Sequence, residues 1–261
     1  MNLLVRSKSL NTAEIDFATT ALRALVEHRD DLVKTRTQTI NRLHTVFTHL
    51  ISGGASRDLN ADRAAELLRT VRPRDTAGKT LRTLAADLIA ELRGLDRRID
   101  KAAHDIEIAI QASGTTLTQL HGIGALTAAK ILSRVGSIRR FDSPAAFASY
   151  TGTAPIEVSS GDVVRHRLSR AGDRQLNFCL HVMAITQIRR DTAGRAYYLR
   201  KRTTGKNHNE AMRCLKRRLS DTVYRQLLKR HQRHDLTQRR QLDGRNPALR
   251  PLSLITFLFR C

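Results

Sequence analysis

Residues 120–132 read LHGIGALTAAKIL and place two glycines, Gly122 and Gly124, between two apolar segments of helical character. Glycine adopts a positive φ without steric cost, so this spacing predicts a tight turn between two helices. Backbone N–H groups at the start of the second helix then point outward, where a phosphate oxygen can accept them. Lys130 in that helix adds a charge-assisted contact. The pattern predicts a helix-hairpin-helix unit that contacts a nucleic-acid backbone, although a plain turn between two core helices fits the same residues.

The charge of the chain indicates a polyanionic partner. Among its 261 residues, 46 are Lys or Arg and 24 are Asp or Glu, which gives a formal net charge of +22. Such a charge disfavours a compact state through self-repulsion unless a polyanion neutralises it. Aromatic residues make up only 4% of the chain and tryptophan is absent, which favours phosphate contacts over base stacking. DNA or RNA is therefore the expected partner.

No apolar run is long enough to cross a bilayer, so the sequence predicts no membrane span. The N-terminal residues also lack the charged, apolar and small-residue order of a secretory signal. Cys179, Cys214 and Cys261 lie far apart, and their spacing fits neither a disulfide framework nor a zinc site. Free thiols are expected in a reducing compartment. We therefore predict a cytoplasmic, nucleoid-associated protein with no membrane partner and no metal site in this chain.

Two long amphipathic helices are predicted in the first half. Apolar residues recur at three- and four-residue steps from residue 12 to about 51 and from residue 76 to about 112. A short helix capped by Asn60 lies between them. The second long helix carries a near-heptad seam: Leu84, Leu88, Leu92, Leu95, Ile99, Ala102, Ile106 and Ala109. Pairing of the two helices within one chain, pairing in a homo-oligomer, and packing of one amphipathic helix on a core all fit this pattern.

Capping signals place the shorter helices of the second half. Ser143 precedes a proline and caps a short helix, Asp173 caps a helix that extends to about residue 190, and another helix begins near Glu210. Residues 150–161 have the composition of a turn-rich loop, and residues 163–167 of a short strand.

The predicted fold class is mainly α, with long antiparallel or coiled-coil helices followed by a compact helical domain that contains the helix-hairpin-helix unit. Residues 1–113 are expected to form the long-helix region. Residues 114–235 are expected to form a nucleic-acid-binding domain, and residues 236–261 a disordered or aberrant tail.

Basic residues concentrate in the second half of the chain. Fourteen basic and three acidic residues lie between positions 200 and 240. Like charges at this density repel one another along a helix, which favours a nucleic-acid-binding surface over a merely solvated face. The candidate DNA- or RNA-binding residues, besides the two hairpin glycines and Lys130, are Arg165, Arg167, Arg174, Lys206, Arg213, Lys216, Arg217 and Arg218.

The order of these motifs resembles the insertion sequence 110 family of transposases, relatives of the Piv site-specific DNA invertases. The resemblance covers most of the chain. Its first part is the segment from Arg36 to Leu43, which is similar to the approach to the family's coiled coil. Its main part comprises residues 120–135, Phe141, Tyr150-Thr151-Gly152, Ala154-Pro155, Ser159-Ser160-Gly161, Leu168-Ser169 and Gly172-Asp173-Arg174-Gln175-Leu176.

The resemblance implies DNA transposition with a serine as the nucleophile. The family's serine lies in a Pro-x-x-x-Ser-(Ser/Thr)-Gly run, which matches Ser159, with Ser160 as the alternative. A hydroxyl needs an activating group, and Glu157, Asp162 and His166 are near Ser159 in sequence only.

The resemblance also implies two further partners: a structured guide RNA and a RuvC-like domain whose four acidic residues bind Mg²⁺. Glu14 and Asp16 are the only acidic residues before Glu27, so we expect that domain to be missing and Mg²⁺ to bind only when it is supplied.

Two functions fit the sequence. The first is a truncated transposase that binds element-end DNA and guide RNA, forms homo-oligomers through the long helices, and is inactive alone. The alternative is a non-catalytic nucleic-acid-binding fragment or modulator of transposition. A repair-type helix-hairpin-helix protein is a weaker hypothesis, because neither a lyase lysine nor a nuclease motif is readable.

Overall fold

The computed structural model describes residues 17–160, 163–168 and 171–245, with side chains for 19–156 and 171–229. In this part of the chain the fold is mainly α, as predicted, with one two-stranded β-hairpin. None of the described helices is apolar over enough of its length to cross a membrane. The elements are α1 (Phe17–Leu50), α2 (Ala61–Thr70), α3 (Thr76–Ala112), α4 (Ala125–Val135), α5 (Pro144–Tyr150), β1 (Pro155–Ser160), β2 (Val163–Leu168), α6 (Arg174–Ile188), α7 (Ala193–Thr203) and α8 (His208–Arg245).

The described chain forms two compact units. The first comprises the residues up to Thr118 together with Ile123–Gly136, and the second comprises Gln119–Gly122 and the residues from Ser137 onward. α4, which the sequence groups with the later residues, therefore packs with the long helices. The functional regions 1–113, 114–235 and 236–261 stay a prediction.

The first unit is built on an antiparallel pair of helices, α1 and α3. Leu32 packs against Leu95 and Ala102, near the end of α3. Leu43 and Phe47, farther along α1, share a buried cluster with residues near the start of α3. The two helices thus pair within one chain, which is one of the arrangements that the sequence left open. Homo-oligomer formation through these helices stays a prediction.

The predicted seam of α3 is wrong at its first residue, Leu84, whereas the second, Leu88, is half-buried and packs against the buried cluster. Leu84 is 48% exposed, whereas Ala85 and Ile89 are buried and pack against α1. A straight α-helix has 3.6 residues per turn, so its buried face drifts away from a strict heptad by about 20° per repeat. From Leu92 onward the prediction holds for Leu95, Ala102 and Ile106, which are buried.

α4 completes the first unit through apolar and polar contacts. Its buried residues include Ala128, Ile131 and Val135. The Lys130 ammonium pairs with both carboxylate oxygens of Asp30 in α1, at 2.6 and 2.8 Å. The Arg23 guanidinium, also in α1, donates to the carbonyl oxygen of Ser133 at 2.7 and 3.1 Å.

The core of the second unit contains a cluster of aromatic rings. Phe141 and Phe147 are both buried. Their ring centroids lie 5.2 Å apart in an edge-to-face arrangement. Tyr224 of α8 packs against Phe147, and its hydroxyl donates to the carbonyl oxygen of Phe141 at 3.1 Å. The apolar face of α8 is buried as well: Ala211, Leu215, Leu219, Val223 and Leu227.

Three elements of the second unit differ from the sequence prediction. β1 is a strand where a loop was predicted, and it pairs antiparallel with β2. α7 was not predicted, because its pattern has no apolar face. α8 begins at His208, where Asn207 and Glu210 exchange side-chain-to-backbone hydrogen bonds of 2.9 Å. It extends to Arg245, which lies inside the segment 236–261 that was predicted as a disordered or aberrant tail. Residues 246–261 lie outside the described residues.

Truncating Leu92 should destabilise the first unit far more than truncating Leu84. Leu92 is fully buried between the long helices and Leu84 is 48% exposed. We expect Leu92→Ala to lower the free energy of unfolding by about 2–5 kcal/mol and Leu84→Ala by less than about 0.5 kcal/mol. Urea denaturation of both variants measures this difference, and equal losses would contradict the observed face of α3.

Candidate functional site

The two candidate serines lie at the end of strand β1. The antiparallel register pairs Ser159 with Val164 and Ser160 with Val163. Glu157 and His166, which were near Ser159 only in sequence, are register partners of each other two residues before that pair. The strand thus brings a carboxylate residue and an imidazole residue onto neighbouring backbone positions. The candidate binding residues Arg165 and Arg167 lie on β2, opposite Val158 and Ile156.

The start of β1 is fixed by a close backbone contact. We call residues 150–155 and 171–173 the hairpin base, because they flank the hairpin on both sides. Gly172 has a φ of +98°, and a Cβ there would lie 2.7 Å from both the Gly152 nitrogen and the Tyr150 oxygen. The Asp173 N–H donates to that same Tyr150 oxygen at 2.7 Å. Two sequence motifs, Tyr150-Thr151-Gly152 and the run that begins at Gly172, therefore meet here.

Asn177 ties the hairpin base to α6. Its Nδ2 donates to the carbonyl oxygens of Thr151 and Gly152, both at 3.0 Å. Its Oδ1 accepts a hydrogen bond from the Lys216 ammonium of α8. One amide side chain therefore fixes the turn that leads into β1 and links that turn to the basic helix.

The hydroxyl of Thr151 extends this network inside the unit. Thr151 Oγ1 lies 3.0 Å from Thr153 Oγ1 and 3.2 Å from Ser220 Oγ, and all three side chains are buried. Buried hydroxyls that lack partners cost free energy, and here each has at least one. The sequence reasoning missed Asn177 and Ser220, since nothing in the helical pattern distinguishes them from solvent-facing polar residues.

Lys216 is buried at the centre of this arrangement. It is 8% exposed, and no carboxylate pairs with it in the part of the chain that the structure describes. Burial lowers the pKa of its ammonium group. Nearby His181 also has a lowered pKa, first because of its own burial and then because of the positive charges of Lys216 and His208. Lys216 thus contacts Asn177 inside the unit, and a phosphate contact at this residue stays a prediction.

The two hairpin glycines have different roles. Gly122 has a φ of +92°, and a Cβ there would lie 3.0 Å from the carbonyl oxygen of Met183. The same turn is held by Gln187, whose Nε2 donates to the His121 carbonyl oxygen at 3.0 Å. Gly124 is exposed and extended, with a φ of −89°, and it caps α4 without a side-chain bond. The expectation of a positive φ at Gly124 is wrong, because the single left-handed residue Gly122 already makes the turn.

The other predicted binding residues are spread over the two units. Arg174 is exposed at the first position of α6, and Lys206 is exposed between α7 and α8. Arg213 is half-buried on α8. Arg217 is half-buried and paired with Asp221, whereas Arg218 is exposed and lies 4.8 Å from the ring centroid of Tyr197. Lys130 lies in the first unit, where Asp30 already pairs with it.

No group of three or more His, Cys, Asp or Glu side chains that could hold a metal ion occurs within residues 19–156 and 171–229. The four-carboxylate Mg²⁺ site that the resemblance implies has no counterpart among these side chains.

The hairpin, its base, helices α4 to α6 and most of α7 match a known family model. Residues 114–199 match the model described as "Transposase IS116/IS110/IS902 family". Residues 114–199 therefore form a domain of the IS110 family of transposases. The chain's predicted resemblance to that family is thereby confirmed, and the matched residues include both serines of β1.

Individual relatives extend the similarity beyond the matched domain. An IS110 insertion element protein of 43.6 kDa from Streptomyces coelicolor is 37% identical over 112 residues, which are 42% of this chain and 28% of that protein. A 44.8 kDa protein of insertion element IS116 from Streptomyces clavuligerus is 26% identical over 80% of this chain and 63% of its own length. A 42 kDa protein of IS900 from Mycobacterium paratuberculosis is 27% identical over 79% and 63%. The chain thus spans less than two-thirds of the length of these relatives.

Substituting Gly122 should destabilise the protein, whereas substituting Gly124 should not. Gly122→Ala forces a side chain into a left-handed backbone against Met183, with an expected loss of at least about 1–2 kcal/mol. Gly124→Ser adds a side chain where nothing lies within 4 Å, and serine is a preferred cap. Urea denaturation measures both, and a neutral Gly122→Ala would contradict the turn described here.

Replacing Lys216 should change how stability depends on pH. Because burial lowers the pKa of Lys216 below 10.5 in the folded state, the unfolded chain holds that proton to a higher pH. The wild type therefore becomes more stable as the pH rises from the pKa of Lys216 in the folded protein toward 10.5, the ordinary pKa of a lysine. Lys216→Met removes this titration. It also removes the cost of burying a charge and, at the same time, the hydrogen-bond donor to Asn177 Oδ1, so the two effects oppose each other at neutral pH.

The measurement is urea denaturation of wild type and Lys216→Met between neutral pH and pH 10. Any stability advantage of the variant should shrink as the pH rises. Lys229→Met, at an exposed position of the same helix, controls for the loss of a lysine. Parallel pH profiles for the wild type and Lys216→Met would contradict a depressed pKa at this residue.

Proposed function

We propose that this chain supplies the strand-cleaving serine and a large part of the nucleic-acid-binding surface of an IS110-family transposase. The observation that carries the proposal is the transposase family match over residues 114–199. That segment contains the serine run at the end of β1. The hairpin base, which the Gly172 contact and Asn177 hold rigid, supports the proposal because a nucleophile requires a fixed position.

The proposed reaction is attack of Ser159 on a DNA phosphodiester. The hydroxyl oxygen forms a new bond to phosphorus, and the bond from phosphorus to one deoxyribose oxygen breaks. The serine proton passes to the general base and then to the departing deoxyribose hydroxyl, so that protein and DNA are joined covalently. His166 and Glu157 are the nearest candidate proton acceptors to Ser159 along the two paired strands. We propose that His166 accepts the proton.

The proposed partners are element-end DNA, target DNA and a structured RNA that guides both. The net charge of +22 supports a polyanionic ligand. Exposed Arg174 and Lys206 lie in the same compact unit as the hairpin and are the proposed backbone contacts. Association of two copies through the long helices is part of the same proposal.

A covalent-capture assay tests the serine. The chain is mixed with labelled element-end DNA, RNA transcribed from the element's flanking region, Mg²⁺, and the acidic domain of a longer relative. We expect the wild type to give a protein–DNA adduct that survives denaturation, and Ser159→Ala to give none. Ser160→Ala is the matched control and should retain the adduct.

Three outcomes are decisive. An adduct that persists in Ser159→Ala would contradict the assignment, and loss of the adduct only in Ser160→Ala would move the nucleophile to that residue. Tight binding without an adduct in any mixture would favour the non-catalytic alternative, a nucleic-acid-binding modulator of transposition.

A further inference from the structure

Uncompensated positive charge is concentrated where α7 turns into α8. Between residues 192 and 218 the chain has nine basic residues and one acidic residue, Glu210. The carboxylate of Glu210 accepts the Asn207 N–H at the start of α8. α7 itself contains no acidic residue. Within this segment one carboxylate thus offsets only a small part of the positive charge.

Three of these cations converge on one aromatic ring. The guanidinium carbon of Arg218 lies 4.8 Å from the ring centroid of Tyr197, the ammonium of Lys201 lies 5.5 Å away, and the guanidinium carbon of Arg200 lies 5.8 Å away. All three distances fall within the range of cation–π attraction. Tyr197 thus holds side chains from both helices that would otherwise separate by mutual repulsion.

None of the three cations has a carboxylate partner among the residues whose side chains the structure describes. Arg200 and Arg218 are exposed, and Lys201 is half-exposed. A stacked guanidinium retains its N–H donors at the edge of the plane, where a phosphate can accept two of them. The arrangement therefore presents several cationic donors side by side, in a form that a phosphate can accept.

We propose that Tyr197, Arg200, Lys201 and Arg218, which we call the Tyr197 clamp, bind consecutive phosphates of a nucleic-acid backbone. The ring acts as a platform that orders the cations and does not stack on a base. Recognition at this surface is accordingly independent of base sequence. The inference rests on the proposed function, because it names the residues that bind the nucleic acid and the way in which they bind it. Of the four residues, only Arg218 was predicted from the sequence as a binding residue.

Fluorescence anisotropy over a range of salt concentrations tests the clamp. The probes are labelled duplex DNA, single-stranded DNA and single-stranded RNA of equal length and mixed sequence, each titrated with the full chain. Arg200→Gln/Lys201→Gln should weaken binding and reduce the salt slope on duplex DNA by about 0.9 for each phosphate that the protein no longer neutralises. Arg97→Gln/Arg98→Gln, an exposed pair on α3, removes the same formal charge and should change the slope less.

The platform is tested by a second pair of variants. Tyr197→Leu should weaken binding about two- to fivefold, the equivalent of one exposed cation–π contact, with a similar factor on single and double strands. Tyr197→Phe keeps the ring and should bind like the wild type. Urea denaturation of each variant confirms that it is folded.

The outcomes separate the clamp from the proposed function. Weaker binding to DNA, to RNA or to both supports the clamp and identifies the polymer that it holds. Weaker binding by Tyr197→Leu that is confined to single strands would overturn the platform in favour of base stacking. Wild-type affinity and slope in Tyr197→Leu and in Arg200→Gln/Lys201→Gln would overturn the clamp while nucleic-acid binding stands. A wild-type chain that binds none of the probes would refute the clamp and the proposed function together.

Discussion

No side chain fits between Gly172 and the turn that follows α5, and much of the second unit depends on that contact. It sets the point where β1 leaves the turn and the point where α6 begins. Once α6 is placed, Asn177 reaches the carbonyl oxygens of the turn, and Met183 and Gln187 reach the loop around Gly122. One glycine thus helps to place two segments, the turn at residues 150–152 and the loop around Gly122, that are roughly thirty residues apart in sequence.

The two units are stabilised in different ways. The first has an apolar interface between long helices, with ion pairs such as Arg36–Asp96 at its half-exposed edges, where such pairs contribute little. The second adds a buried polar network around Thr151, Asn177 and Lys216. Apolar contacts tolerate sliding, whereas a buried network penalises every arrangement that leaves a donor or acceptor unpaired. A polar interior is therefore suited to hold a serine-bearing hairpin in one position.

Local signals in the sequence predict local structure well. The caps Asn60, Ser143 and Asp173 accept the backbone hydrogen bonds that the sequence predicts for them, because a capping motif lies within four residues. β1 was missed because a strand depends on its partner, and the run before Ser159 has the composition of a loop. α7 was missed because Gly194 is the only residue among its members that is buried, so no apolar face was readable.

Binding residues were harder to predict, because residue type does not report burial. By residue type alone, Lys130 and Lys216 are as good candidates for phosphate contacts as Arg174 and Lys206. The structure turns the first two toward Asp30 and Asn177 and leaves the other two exposed. Tyr197 was missed because the low aromatic content, 4% of the chain, predicts no part for aromatic rings in binding.

The position of α4 limits where two related proteins can be joined into one folded chimaera. The family segment begins at residue 114, before α4, yet α4 is bound to α1 and α3. A gene fusion joined at residue 114 would separate Lys130 from Asp30 and expose the apolar side of α4, including Ile131 and Val135. A joint after Gly136, where the first unit ends, leaves those contacts intact, but it separates the loop of residues 119–122 from its own α6. The segment that is inherited as a sequence family is thus not a segment that folds as one unit, and a chimaera has to match residues 119–122 to the α6 that they contact.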